Sequence, residues 1–500
     1  MNSGSPFRTL LKGSVIALFG NSLIYALVFV FQIMMVKMLG LEGYGIWGFA
    51  FTLILTVAQL STMGLGFASV YFSSSGNSTV SVPSPAAAAR FSVGAVLVVS
   101  GAAAALLPAA SHFLIVPYYH FENIGSLITI LAALVPLAAF ISIAESIFRA
   151  HHDAAAAFKM KLVPEALKVV IVPSALLCFG ADTRVVGAAM LVVLAAPAVY
   201  GAYMLNKLVV PLRSLLPVRN VPSAAAPMLA YALPFFLMEV FQIFRDRADT
   251  FIIGYLSTAG YLGIYKGAYV LAAMVSFIPT AVAYLLFPLM SKIVNDHDTG
   301  QLAVFGERTM KLLIYSGLPV MVGIILFARP LMTRVLGPVF LPGERALLFL
   351  TLSSASGIFH VFYGHVLAAK NRVRWLWMSN AAAVVLNLGL NILLIPGYGI
   401  TGAALASLAG SILLTVVIAR LAAVSLGRFV FPAGVAGALF TAFAFVAAAY
   451  VFRERSVAAS CVLCVLFGAC WSAWLINFER ADLAAALEHV RSFVSQQRRN

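Results

Sequence analysis

Fourteen apolar runs of membrane-crossing length follow one another along this chain. They lie at roughly 14–36, 46–72, 91–116, 124–148, 162–180, 185–205, 228–255, 264–290, 312–328, 346–369, 375–396, 401–423, 429–451 and 457–477. A bilayer core offers no water to bond exposed peptide groups, so spanning segments must be helices or the strands of a closed barrel. Runs of about 20 residues have the length of helices. The expected fold is an all-α polytopic membrane protein of about 14 transmembrane helices. Composition closes off the soluble alternative, because with 62% hydrophobic and 10% charged residues a chain of this size cannot cover itself with polar surface.

The loops orient the bundle. With the N-terminus inside, inner segments carry 21 of the 32 Lys and Arg residues, from Arg8 and Lys12 to Arg498 and Arg499, and outer segments carry eight. This bias predicts cytoplasmic termini. It also accounts for most of the net charge of +15, which therefore signals topology rather than nucleic-acid binding. A first run of about 23 residues with no small-residue cleavage pattern behind it argues against a cleaved signal peptide.

The chain repeats itself. Gly45-Ile46-Trp47 returns as Gly263-Ile264-Tyr265, 218 residues on, and Gly187-Ala188-Ala189 returns as Gly402-Ala403-Ala404 at an offset of 215. The shared spacing predicts two parallel six-helix repeats plus a two-helix C-terminal extension, related by an axis along the membrane normal. The corresponding divisions are an N-lobe at 1–222, a C-lobe at 223–425, helices 13 and 14 at 426–477, and a cytoplasmic amphipathic tail at 478–500. The tail keeps helical spacing at Leu483, Leu487, Val490 and Val494 among charged neighbours, suited to a leaflet surface.

The run 228–255 is the most polar, with Glu239, Arg245, Asp246, Arg247 and Asp249 in its second half. Charges in hydrocarbon are costly and face partners, cavities or water. At helical spacing Glu239, Gln242, Arg245, Asp246 and Asp249 share an arc of about 120°, and Arg247 lies outside it. The helix thus has a wet side, which makes transport the first function to consider. On the first helix Ser14, Asn21, Tyr25 and Gln32 fall on one face, and Asn380, Asn387 and Asn391 form a further stripe. Asn and Gln often only bond neighbouring helices, the preferred reading of the Asn stripe.

Other motifs mark what is missing. No GxxxxGK[ST] is present for ATP. Asp296-His297-Asp298 has glycosyltransferase spacing but no surrounding nucleotide-binding domain, and His151-His152-Asp153 reads as a solvated turn. The Cys461–Cys464 spacing lies within an apolar run, where packing is the simpler reading. No catalytic residue, metal, disulfide or cofactor is assigned, and the chain is not expected to be an enzyme.

Several segments carry a family resemblance. They are Lys12-Gly13-Ser14, Leu39-Gly40 with Tyr44-Gly45, Arg247-Ala248-Asp249 with Gly263-Ile264-Tyr265, and above all Leu386-Asn387-Leu388 followed by Asn391-Ile392-Leu393-Leu394-Ile395-Pro396-Gly397-Tyr398-Gly399-Ile400-Thr401-Gly402-Ala403-Ala404. Over roughly residues 8–425 the chain resembles the polysaccharide flippases of the multidrug/oligosaccharidyl-lipid/polysaccharide exporter superfamily. The resemblance implies translocation of undecaprenyl-diphosphate-linked oligosaccharide between leaflets of a bacterial inner membrane, for lipopolysaccharide or exopolysaccharide synthesis. The implied partners are that lipid-linked oligosaccharide, membrane lipids and a polysaccharide polymerase or export machinery. The candidates for substrate binding are Arg245 and Arg247, suited to diphosphate or acidic sugars, with Lys168, Lys266, Gln242, Asn21, Tyr25 and Gln32. Those for proton or sodium coupling are Glu239, Asp246 and Asp249, with Glu145 and Glu165. Only Arg247 and Asp249 carry over by motif, and an ion pair between them would orient the hairpin. Three alternatives remain: a cation-coupled multidrug exporter, a lipid II flippase, and a non-transporting partner of a polysaccharide synthase. The first helix carries no acid and the first two carry no arginine within their apolar stretches, features that the first two alternatives lead one to expect.

Overall fold

The computed structural model describes residues 6–74, 85–119, 121–151, 153–208, 222–277, 299–370, 372–427, 429, 435–452 and 457–478. Among them the chain is helical, without strands. The first helix, Pro6–Ser61, breaks at Gly40 into α1 (6–39) and α2 (41–61). There follow α3 (Leu65–Ser74), α4 (Pro85–Leu114), α5 (Ile124–Ala132), α6 (Leu134–Ala150), α7 (Ala154–Phe179), α8 (Thr183–Leu208), α9 (Pro222–Leu256), α10 (Ala259–Ala273) and α11 (Thr299–Leu326). After short helical turns come α12 (Glu344–Ala369) and Val373–Leu426, which breaks at Gly399 into α13 (373–398) and α14 (400–426). The series closes with α15 (Val435–Phe452) and α16 (Val457–Phe478). Counting α1 with α2 and α13 with α14 as one stretch each, eight described helical stretches are long and apolar enough to cross a membrane, or nine if the pair α5 and α6, bent by 42°, is counted. In its described residues each of the fourteen apolar runs falls mainly on helix, 264–290 being described as far as Phe277 and 429–451 at Phe429 and from Val435 on.

Glycine makes the two tightest hairpins. Gly40 (φ 67, ψ -171) and Gly399 (φ 55, ψ -137) each turn the chain in one positive-φ step, in or near a region that is in practice open only to glycine. Just past the second turn, a Cβ at Gly402 would meet the Leu394 carbonyl oxygen at 2.5 Å. The Gly402-Ala403-Ala404 run is therefore small because α13 and α14 lie backbone against backbone, as membrane helices pack without a hydrophobic driving force.

Two segments differ from the sequence expectation of unbroken helices. The run 46–72 is interrupted between α2 and α3, where Met63 (φ 50) and Gly64 (φ 69) are both left-handed. Space for this break comes from α9: a Cβ at Gly64 would lie 2.7 Å from the Ala232 carbonyl oxygen and 2.9 Å from the Phe236 nitrogen. The run 124–148 bends at Ala133, between α5 and α6. The weakest apolar run, 162–180, is nonetheless a full helix starting at Ala154, and its cap is Asp153, whose Oδ1 accepts the Ala156 N–H at 2.9 Å. That bond gives Asp153 a structural role in the His151-His152-Asp153 turn. Asp296-His297-Asp298 and the 478–500 tail beyond Phe478 lie outside the described residues.

α2 runs along α9 and α10. At one end Gly45 and Gly263 face each other, and a Cβ on either would collide with a carbonyl oxygen of the facing helix, Ala259 for Gly45 and Leu41 for Gly263. Farther along, α3 meets the start of α9 through stacked rings, Phe67 on Phe235 (4.7 Å) and Tyr71 on Tyr231 (4.3 Å).

Candidate functional site

The charges of α9 divide between two surroundings, as helical geometry requires of residues on different faces. Arg247, outside the wet arc, reaches α2. Its guanidinium donates to Thr56 Oγ1 at 2.9 Å and Gln59 Oε1 at 3.0 Å. Beside it Lys266 of α10 donates to Thr52 Oγ1 at 2.8 Å, its stem running past Gly48. Thr52, Thr56 and Gln59 are spaced four and three apart, so α2 presents one strip of neutral acceptors to two cations. Neither cation is ion-paired among the described residues.

Asp249 faces the other way, into a knot built by α10, α13 and α14. It is 5% exposed and accepts from Tyr265 Oη at 2.6 Å, from Asn391 Nδ2 at 2.7 Å and from the Ser407 hydroxyl. Asn391 also donates to Asn387 Oδ1 at 3.0 Å, and its own Oδ1 is buried with no partner. No cationic side chain lies within 4 Å of Asp249 among the described residues. The expected ion pair between Arg247 and Asp249 is thus not formed. Two residues apart on a helix point about 200° away from each other, and each finds neutral partners on a different neighbour.

Next to the knot a cavity of about 310 Å³ opens between α9, α10, α12, α13 and α14. Its wall includes Arg245, Asp246, Asp249, Tyr269 and His360 together with several serines and Asn387. Arg245 Nε donates to Asp246 Oδ1 at 3.0 Å and Nη1 to Asn380 Oδ1 at 2.9 Å. Ser353 bonds Ser411 across the cavity at 2.8 Å, while His360 leaves a buried Nδ1 without a partner. The Asn stripe bonds neighbouring helices, as anticipated, but two of its partners are charged groups of α9.

The remaining candidates are scattered. Gln32 accepts from the Tyr44 hydroxyl at 3.1 Å, Tyr25 stacks on Phe277 at 4.9 Å, and Asn21 is half-buried on α1. Gln242 is exposed. Glu239 is half-buried with Oε2 lacking a partner. Glu165 and Lys168 pair within α7 at 2.5 Å, and the ammonium lies 6.0 Å from the Phe31 ring. Glu145 is held by Arg149 and Lys161 at 3.3 and 3.2 Å near the end of α6. The structure therefore gathers Arg245, Asp246 and Asp249 at one cavity and Arg247 with Lys266 at one interface, and leaves the others apart. Tyr265, Ser407, His360 and the α2 acceptors were not among the sequence candidates. The α2 strip left a legible signal in its helical spacing, as did Tyr265 between Tyr261 and Tyr269 and Ser407 before Ser411 and Thr415.

Known proteins share this arrangement of helices. An inward-closed structure of the lipid II flippase MurJ superposes with a TM-score of 0.71 at 13% identity, over 94% of this chain and 99% of that one. An inward-facing MATE-family multidrug resistance transporter of the MOP superfamily gives 0.67 at 15% identity, over 83% and 98%. In sequence, the probable low-salt glycan biosynthesis flippase Agl15 of Haloferax volcanii is 29% identical over 164 residues, 33% of this chain and 35% of that protein. The probable flippase AglR of the same organism is 24% identical over 214 residues, 42% and 43% of the two chains. The matches thus span less than half the length of these relatives. The profile described as polysaccharide biosynthesis protein covers residues 34–343, more than half of the sequence. The chain belongs to the polysaccharide biosynthesis protein family, and its helices are arranged as in those two solved structures.

Proposed function

We propose that this protein is a flippase that carries undecaprenyl-diphosphate-linked oligosaccharide from the cytoplasmic to the outer leaflet of a bacterial inner membrane, with both termini in the cytoplasm. The observation that carries the reading is the pair Arg247 and Lys266, two cations at a helix interface whose bonds all go to neutral acceptors. These hydrogen bonds to Thr and Gln bring no opposite charge into ion-pairing distance among the described residues, a costly state in a membrane-spanning region. A diphosphate supplies the missing charge, and a guanidinium fork with an ammonium is the usual donor set for it. The glycan needs polar walls as well, since each stripped hydroxyl without a partner costs about 1–3 kcal/mol. Membership of a polysaccharide family and relatives named as a probable glycan biosynthesis flippase and a probable flippase support transport rather than catalysis.

The reading divides the chain into lobes at 1–222 and 223–425 that rock against each other. The supporting feature is the reciprocity at Gly45 and Gly263. The 218-residue offset relates Gly45 to Gly263 and Leu41 to Ala259, and each glycine meets the other's counterpart carbonyl, as an axis passing between them requires. Asp249 is the site of a coupling cation. A buried carboxylate with no cation beside it, next to the orphaned Asn391 Oδ1, is a cluster of oxygens suited to one proton or one sodium ion. The test is translocation of a fluorescent undecaprenyl-diphosphate oligosaccharide in proteoliposomes, alongside efflux of a cationic dye. Glycolipid flipping supports the flippase; dye efflux without flipping makes the protein a drug exporter.

A further inference from the structure

Arg245 shares a cavity with a bare carboxylate and does not touch it. Arg245 and Asp249 lie four residues apart on α9, neighbours on one helix face with Cβ atoms about 5–6 Å apart, and both line the same space. A free guanidinium there would be drawn to Asp249, since attraction between unlike charges strengthens in a poorly solvated setting. Instead Arg245 turns sideways to its own neighbour, Asp246, at 3.0 Å and to Asn380 of α13 at 2.9 Å. Residues adjacent in sequence do not face each other on a helix, so this side chain is held away from its natural partner. Asn380 is aimed for the purpose: its Nδ2 donates to the Leu376 carbonyl at 2.9 Å, which leaves Oδ1 for the guanidinium.

The charges around the site are few. Among the described residues α9 brings Arg245, Asp246 and Asp249, α10 the phenols Tyr265 and Tyr269 and the ammonium of Lys266, which acts on Asp249 from beyond ion-pairing distance, and α12 the imidazole of His360. α13 and α14 add only neutral groups, among them Asn387, Asn391 and Ser407. Arg247 points to α2. Arg245 is paired with Asp246, and Asp249 has no ion-paired cation of its own among the described residues, which leaves its carboxylate open to one monovalent cation.

We propose that Arg245 is a tethered competitor for the cation at Asp249, held off the carboxylate by Asp246 and Asn380, so that opening this clamp expels the cation. The inference rests on Asp249 as the cation site and adds how its occupancy is controlled. Asp246 is the exposed end of the clamp, with 40% of its side chain accessible against 17% for Arg245. A donor arriving from outside the cavity can take its carboxylate and free the arginine. Substrate and cation would then oppose each other by linkage, whichever binds first.

The test follows cation-dependent thermal stabilisation of the full-length purified protein. Sodium chloride is titrated against choline chloride at constant ionic strength, with a parallel pH titration, for wild type, Asp249→Asn, Arg245→Gln, Asn380→Leu and the pair Arg245→Gln/Asn380→Leu. Arg245→Gln should lower the cation midpoint by roughly tenfold, the effect of removing one nearby positive charge. Asn380→Leu changes no charge and should raise the midpoint several-fold, because the freed guanidinium competes. In the Arg245→Gln background the same Asn380→Leu change should do nothing. A merely structural asparagine would shift both backgrounds alike, and that result, or no shift in either, overturns the clamp. A wild type indifferent to sodium and pH, or an Asp249→Asn variant that responds like wild type, overturns the cation site itself.

Discussion

Gly45 of α2 and Gly263 of α10 meet backbone to backbone: a Cβ built on Gly45 would stand 3.0 Å from the Gly263 nitrogen, and one on Gly263 would stand 3.3 Å from the Gly45 nitrogen. Both would also overlap main-chain carbonyls, which cannot move aside as a flexible side chain can. The crossing is thus set by the absence of two side chains, and helix separation there is a direct function of residue size.

Gly45→Ala and Gly263→Ala should each destabilise the protein by about 1–3 kcal/mol, the range for overpacking a tight contact. Gly94→Ala and Gly101→Ala, where an added methyl meets nothing, should be neutral or slightly stabilising because alanine is the better helix former. Thermal unfolding of the four variants in detergent checks this, and equal midpoints for all four would contradict the packing.

At Asp249 the shape and the charge can be separated. Asp249→Asn keeps one oxygen to accept from Tyr265 and Ser407 and turns its amide NH2 toward Asn391, whose unpartnered Oδ1 can accept it after an amide flip. It should fold with near wild-type stability, yet lose gradient-driven transport. Asp249→Ala strands buried hydrogen-bonding groups at about 1–3 kcal/mol each and should express poorly. Expression level and transport under an imposed ion gradient, measured for both variants, give the comparison. Gradient-driven transport by Asp249→Asn at the wild-type rate would remove the carboxylate from coupling.

The Glu165–Lys168 pair of α7 allows a double-mutant cycle. With side chains only 16% and 12% exposed, removing one partner leaves a poorly solvated charge. Lys168→Met and Glu165→Gln should each cost about 2–4 kcal/mol, and the double variant should recover much of that loss. Additive losses in thermal or denaturant unfolding would show that the two groups do not depend on each other.

The architecture was readable because lipid imposes one rule on every span. A run such as 401–423 must be helical wherever it packs, and even 162–180, with its two prolines, obeyed. Gly45 and Gly263 could be matched in sequence because a backbone crossing tolerates little but glycine. The site was legible only where several polar residues share one helix. The α9 arc set Arg247 apart from Asp249, and the structure follows that division. Asp249's partners Tyr265 and Ser407 belong to stripes at four-residue spacing, Tyr261, Tyr265 and Tyr269 on α10 and Ser407, Ser411 and Thr415 on α14. Hydroxyls at that spacing also serve where helices only bond one another, so the stripes do not announce a carboxylate partner. The α2 break was missed for a similar reason: Thr62-Met63-Gly64 carries one glycine, and the left-handed Met63 is sustained by tertiary packing against α9 rather than by local preference.

The central claim is that the Arg247 and Lys266 interface receives the anionic headgroup. Arg247→Met/Lys266→Met removes two poorly solvated charges that no ion pair holds among the described residues, so its thermal midpoint should equal or exceed that of wild type. The deciding measurement is the translocation rate of the fluorescent undecaprenyl-diphosphate oligosaccharide by this variant, reconstituted beside wild type at equal density. The account predicts a loss of at least about tenfold, worth roughly 1.4 kcal/mol of transition-state stabilisation or more, in a fully folded protein. A well-folded double variant that flips the glycolipid at the wild-type rate would contradict it.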